Sequence, residues 1–144
     1  MLRVVAAVAA IAVGATLVYA DVAAIGQRQA ILKTFGGAMK EPGGMMKGVT
    51  PFDLAKVQAS LKVLADGPPK LKELFPDDSK TGADTAALPA IWEKKADFLG
   101  RWDKLAADAT AAMTAIKDEA SFKSEWVKIG ANCGGCHKEY RKPE

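Results

Sequence analysis

The feature that most constrains this chain is Cys133-Gly134-Gly135-Cys136-His137. Two cysteines three apart, with a histidine directly after the second, form the attachment pattern of a c-type haem. Each thiol can add to one vinyl group of a porphyrin, and the adjacent imidazole can reach the iron. On a helix the two cysteines share a face at i and i+3, with His137 beside them. Glycines at 134 and 135 leave no side chain between the attachment points, so the backbone can come close to the ring.

Three other readings of the motif are weaker. A structural zinc site needs four ligands, usually cysteine or histidine. The whole chain has two cysteines and one histidine, so it cannot complete such a site alone. A thioredoxin-like pair belongs near a βαβ pattern, and no such pattern is visible. A simple disulfide would leave the flanking histidine unexplained.

The chain has 144 residues, the length of one domain. Residues 1–20 read as a signal peptide, which leaves 21–144 as the folded domain. Arg3 is the positive n-region, Val4 to Val18 is nearly unbroken apolar sequence, and Val18-Tyr19-Ala20 ends in a small residue. This predicts a protein exported to the periplasm and cleaved near Ala20/Asp21. The alternative is an uncleaved anchor, the only route by which the chain would meet a membrane. The apolar run is short for a span of about 20 residues. A net charge of +3, with basic residues scattered among acids, excludes a nucleic-acid-binding surface.

From Asp21 on, the periodicity predicts four amphipathic helices and no sheet. In the first, Ile25, Leu32, Phe35 and Met39 recur on one face, with Arg28 and Gln29 near the stripe. Pro42-Gly43-Gly44 is predicted to kink or end it, leaving Met45, Met46 and Val49 for a further turn. Thr50-Pro51-Phe52-Asp53 predicts the next start, with Thr50 as cap and Pro51 in the first helical position. Leu54, Val57, Leu61 and Leu64 continue that helix, and Gly67-Pro68-Pro69 stops it. A short turn over 70–75 and a surface loop over 76–88 follow. Pro89 opens a long helix running to Lys117, buried through Trp92, Phe98, Leu99, Trp102, Leu105, Ala109, Met113 and Ile116. Asp118 caps the last helix. There Phe122, Trp126, Ile129, Cys133, Cys136 and Tyr140 recur at alternating steps of four and three, a seam that carries the two cysteines inward. The expected fold is all-α, a four-helix bundle that encloses its cofactor.

With the haem motif on the last of four helices, the chain resembles the class II c-type cytochromes, specifically the cytochrome c′ family. The resemblance covers residues 21–144. It rests on Cys133 to His137 followed by Tyr140-Arg141-Lys142, on Arg28-Gln29, on Thr50 to Asp53, and on Ile91-Trp92. It implies an antiparallel up-down-up-down bundle with one covalently attached haem c and its iron. Cys133 and Cys136 would carry the thioethers, and His137 would bind the iron. Arg28 and Gln29 match a pair beside the haem propionates, and Arg141 matches a basic residue on the proximal face. Leu32 matches the position over the distal face, where low-spin relatives carry an iron-binding methionine. With leucine there, the resemblance implies five-coordinate, high-spin iron and an apolar sixth side, with Phe35 and Phe75 nearby. The usual first helix lacks the Pro42-Gly43-Gly44 interruption. Some relatives have an aromatic residue where Lys72 stands.

The expected function is that of a periplasmic haem protein binding NO or CO, carrying single electrons to redox partner proteins, or both. The family also forms homodimers through its first two helices. A low-spin, methionine-ligated electron carrier is the alternative. Met39 lies seven residues beyond Leu32, roughly 10 Å along a regular helix, out of reach of an iron under Leu32. Met113 reads as core packing. An enzymatic role such as a peroxidase would need a distal acid–base group, and no second histidine is present.

Overall fold

The computed structural model describes the backbone of residues 9–143 and the side chains of residues 22–143. Residues 1–8 of the predicted leader lie outside the described residues, as do the side chains flanking its predicted cleavage point. The elements are helices α1 (Ala9–Met46), α2 (Leu54–Asp66), α3 (Pro68–Lys72), α4 (Ala90–Glu93), α5 (Lys95–Ala115) and α6 (Glu119–Tyr140). A 3₁₀ turn, Asp77–Ser79, lies between α3 and α4. Among the described residues the only β pairing is an isolated bridge between Ala87 and Arg141. Also among them, no helix is long and apolar enough to cross a membrane.

Four long helices form the bundle. α1 packs on α2, α2 on α5, and α5 on α6. The core runs through Val57, Leu61 and Leu64 of α2, Phe98, Trp102 and Leu105 of α5, and Phe122, Trp126 and Ile129 of α6. These are the apolar stripes read from the periodicity. Met113 packs half-buried against that core, as expected.

Several predicted boundaries move. α1 does not stop at Pro42 but continues to Met46 with the proline inside it. The pyrrolidine costs one intrahelical bond, but its ring is fully buried. Termination falls instead at Gly48, in the left-handed region with φ 69°. There the Val49 N–H donates to the Gly44 carbonyl at 3.0 Å, and the Gly48 N–H to the Met45 carbonyl at 3.0 Å. This paired closure is the Schellman arrangement, which needs its residue of positive φ and satisfies the last carbonyls. Val49 is therefore outside the helix and exposed.

α2 is capped by Asp53 rather than by Thr50 and Pro51. The Asp53 carboxylate accepts from the Lys56 N–H at 3.1 Å, so Thr50 to Phe52 precede the helix. Gly67 ends α2 but does not turn the chain away, because it keeps right-handed angles (φ −77°, ψ −37°). Pro68 starts α3 at once, so the predicted turn begins earlier and ends at Lys72. The predicted third helix is divided at Lys94 (φ −119°, ψ 42°) into α4 and α5. α6 begins as predicted. Asp118 Oδ1 accepts from the Ser121 N–H at 2.8 Å, and the Ser121 hydroxyl accepts from the Asp118 N–H at 3.1 Å. This reciprocal pair satisfies two otherwise orphaned donors.

Candidate haem site

A cavity of about 700 Å³ lies between α1, α5 and α6. It is of the size that small-molecule and cofactor sites occupy. Every residue singled out from the sequence lines it: Cys133, Cys136, His137, Arg28, Gln29, Leu32, Phe35, Phe75 and Arg141. They come from three separate segments, α1, the stretch after α3, and α6 with its cap, so the fold, not the chain order, assembles the site.

α6 brings the motif to the cavity. Cys133 and Cys136 are half-buried free thiols one turn apart, and His137 is exposed beside them. Burial raises both thiols above the ordinary cysteine value, Cys136 to about 11, against the opposing pull of the Arg101 charge.

Aromatic rings make much of the remaining wall. Phe35 of α1 meets Trp102 of α5 at 6.1 Å between centroids. Trp102 meets Phe98 at 5.8 Å, and Phe98 meets both Phe75 at 4.7 Å and Tyr140 of α6 at 5.2 Å. The contacts lie at edge-to-face or tilted angles, the arrangement ring quadrupoles favour. Trp102, Phe98 and Tyr140 read from sequence as core positions, and their helical spacing does not separate core from cavity wall. Met39 also lines the cavity, two turns beyond Leu32 on the uninterrupted α1. Trp102 Nε1 is buried and has no hydrogen-bond partner among the described residues.

The cations at this site differ in what they do. Arg28 is 2% exposed. Its guanidinium donates to the Leu74 carbonyl (3.2 Å), the Ser79 hydroxyl (2.8 Å), the Ser79 carbonyl (2.9 Å) and the Thr85 hydroxyl (2.9 Å). It also lies 4.7 Å from the centroid of Phe75, within cation–π range. Arg28 thus ties the 74–85 segment to α1 at the cavity edge. The predicted surface loop is pinned there, with Ser79 and Thr85 buried. Gln29 is exposed and donates to the Ala83 carbonyl at 3.4 Å. Arg141 follows α6 and forms the bridge with Ala87, closing the loop onto the end of the motif helix. Lys72 pairs with Asp103 at 2.7 Å.

Arg101 was not singled out from sequence. Spaced four residues from Asp97, it looks like half of an ordinary surface pair. In the fold it lines the cavity beside the motif and also reaches α6. Tyr140 donates to Asp97 at 2.5 Å. Burial and that carboxylate push the Tyr140 phenol up to about 12, while the tyrosine and Arg101 hold Asp97 below the usual carboxylate range.

The donor set fits a covalently held haem. Two thiols at i and i+3 and an adjacent imidazole open on one cavity with largely aromatic and aliphatic walls, flanked by guanidinium groups. The family model for cytochrome c′ matches residues 23–141. The chain belongs to the cytochrome c′ family. A cytochrome c′ of Rhodopseudomonas palustris is 49% identical over 140 residues, covering 97% of this chain and 96% of that protein. A solved cytochrome c′ from Rhodopseudomonas palustris superposes with a TM-score of 0.83 at 53% identity, covering 84% of this chain and 97% of that one. A cytochrome c-556 of Agrobacterium fabrum is 36% identical over 116 residues, covering 80% of this chain and 78% of that protein. The protein is therefore a c-type haem protein of the cytochrome c′ family, a four-helix bundle whose cofactor is a covalently attached haem c with its iron.

Proposed function

We propose that this member of the cytochrome c′ family holds five-coordinate, high-spin iron and acts in the periplasm by binding NO or CO, by carrying single electrons, or by both. When bound, the haem supplies an iron that takes up diatomic gases and exchanges one electron. The chain supplies the rest. Cys133 and Cys136 would hold the ring by thioethers, and His137 would bind the iron. Arg28, Gln29 and Arg141 serve the acidic edge of the group and the proximal side. Leu32, Phe35 and Phe75 would face the opposite side with apolar groups, which favours CO and NO over polarised O₂.

The observation that carries this reading is Leu32. It lines the cavity on α1, the resemblance matches it to the methionine of low-spin relatives, and its side chain has no atom that binds a metal. The second reading, a low-spin electron carrier, is favoured by one observation: the Met39 thioether lines the same cavity. Against it stands the regular α1, which sets Met39 roughly 10 Å along the axis from Leu32.

The visible absorption spectrum of the reduced holoprotein, with and without CO and NO, tests the proposal. The expected spectrum is high-spin and changes on adding either gas, and Leu32→Met moves it toward low spin. A low-spin spectrum in the unmodified protein, with a methionine–iron band that Met39→Leu removes, refutes it. Export predicts a mature chain beginning at or near Asp21, read by N-terminal sequencing of the native protein. Residues 1–20 retained in a membrane fraction refute that part.

A further inference from the structure

We propose that Arg101 is a positioning residue for the iron ligand, fixing the rotation of the turn that carries His137. The inference rests on the assignment of His137 above. Arg101 stands on α5, and its planar guanidinium donates in three directions, two of them to α6. Nε donates to Asp97 Oδ2 of its own helix at 2.8 Å. Nη1 donates to the Gly135 carbonyl, inside the motif, at 3.1 Å. Nη2 donates to Glu139 Oε2 at 2.9 Å. The same group lies 5.2 Å from the Tyr140 ring centroid. Two further contacts brace it, Lys94 to Glu139 and the Tyr140 hydroxyl to Asp97.

Gly135 and Glu139 stand four apart, on one face of α6, and His137 projects about half a turn away. Gripping that face fixes the direction in which the imidazole points. No single half-exposed ion pair does much for stability. A fork with fixed angles is different, because it constrains geometry as well as adding energy. Metal-binding histidines depend on such outer partners for their orientation. The fork lies close to Gly135. A Cβ there would lie 3.6 Å from Nη1, so alanine is tolerated but a branched side chain displaces the guanidinium.

The test is the iron–histidine stretching band of the reduced holoprotein by resonance Raman, with CO release as a second reading. Arg101→Gln is expected to shift or broaden the band and change the CO release rate about threefold or more. Arg101→Lys keeps the charge but not the fork, so it should leave the band displaced. Gly135→Val keeps Arg101 but evicts it and should reproduce the effect, which covers the case in which Arg101→Gln does not fold. If these variants only lower the melting temperature and the band stays put, Arg101 is a structural ion pair and the proposal falls. If Arg101→Lys restores the parental band, charge and not the fork is at work, and the proposal also falls. A parent protein with no iron–histidine band refutes the assignment of His137 and the proposal with it. A parent band that no variant moves refutes the positioning role alone.

Discussion

Gly67→Ala would place a methyl group against the ring of Phe35. A Cβ built at Gly67 lies 2.3 Å from Phe35 Cε1, 2.6 Å from Cζ and 3.2 Å from the Val63 carbonyl oxygen. Carbon atoms rest at about 3.5–4.0 Å, so the ring must retreat by roughly 1 Å or more. It has little room, being 7% exposed and packed on Trp102. Overpacking of this kind costs about 1–3 kcal/mol. The backbone offsets part of that. Gly67 is right-handed, so alanine there gains about 0.4–1 kcal/mol by restricting the unfolded chain. The net expectation is a loss of about 1–2 kcal/mol. Urea unfolding of the holoprotein, followed by far-ultraviolet circular dichroism, measures it with the slope unchanged. Phe35→Leu removes the two clashing atoms, so Gly67→Ala should cost little in that background. The cycle should return a coupling of about 1–2 kcal/mol. Phe35 also lines the haem cavity, so a displaced ring should alter the rate of CO uptake. A Gly67→Ala protein as stable as its parent, or single effects that add within about 0.5 kcal/mol, would refute the packing argument.

Haem attachment predicts that Cys133→Ala with Cys136→Ala gives protein whose haem is extracted by acidified organic solvent. The unmutated protein should retain it, and loss there would defeat the thioether assignment. Ala83 holds a left-handed φ of 41°, next to Gly82 and Asp84, which are also left-handed. Ala83→Gly relieves strain of about 1 kcal/mol, part of which the looser unfolded chain takes back, so urea unfolding should show a gain of up to about 1 kcal/mol. The Asp118 carboxyl is held below the usual range by the Ser121 side chain and then by backbone N–H groups. Its stabilisation is therefore present above about pH 3.9 and lost as pH falls through the lower folded value. Asp118→Asn keeps a capping oxygen without the charge. Thermal melts should fall less for it than for the parent between neutral and strongly acid pH, and equal falls would show that the cap does not titrate.

What was legible in the chain was legible for different reasons at different places. Cys133, Cys136 and His137 are contiguous, so their chemistry needs no fold to be read. The α6 seam is repetitive, and repetition survives without coordinates. Asp118 obeys a rule that reaches only three residues. Pro42 shows the limit of such rules, because a proline argues locally for a stop. The finish at Gly48 depends on two bonds back to Gly44 and Met45, and on burial of the proline ring by distant side chains. Thr50 reads as the cap because a proline follows it, yet Asp53, the stronger capping residue by type, holds the position because its carboxylate meets the Lys56 N–H.

Polar side chains with distant partners were the least legible. Arg28 binds Ser79 and Thr85, 51 and 57 residues away, and nothing periodic links those positions. The resemblance directs attention to Arg28 as a group facing the cofactor. The fold adds that the same guanidinium holds the loop at the cavity edge, so a substitution there would disturb both roles at once. Arg101 is the opposite case. Nothing in its spacing distinguishes it from Lys62 paired with Asp66 or Lys104 paired with Asp108, which are i,i+4 pairs on the surface. It differs in having Gly135 opposite, and its one guanidinium engages two helices. A variant series at Arg28 must therefore separate loop opening from haem contact, for which hydrogen exchange at 79–85 is the suitable control. At Arg101 the loop is not involved, and the iron–histidine band reports on the ligand directly.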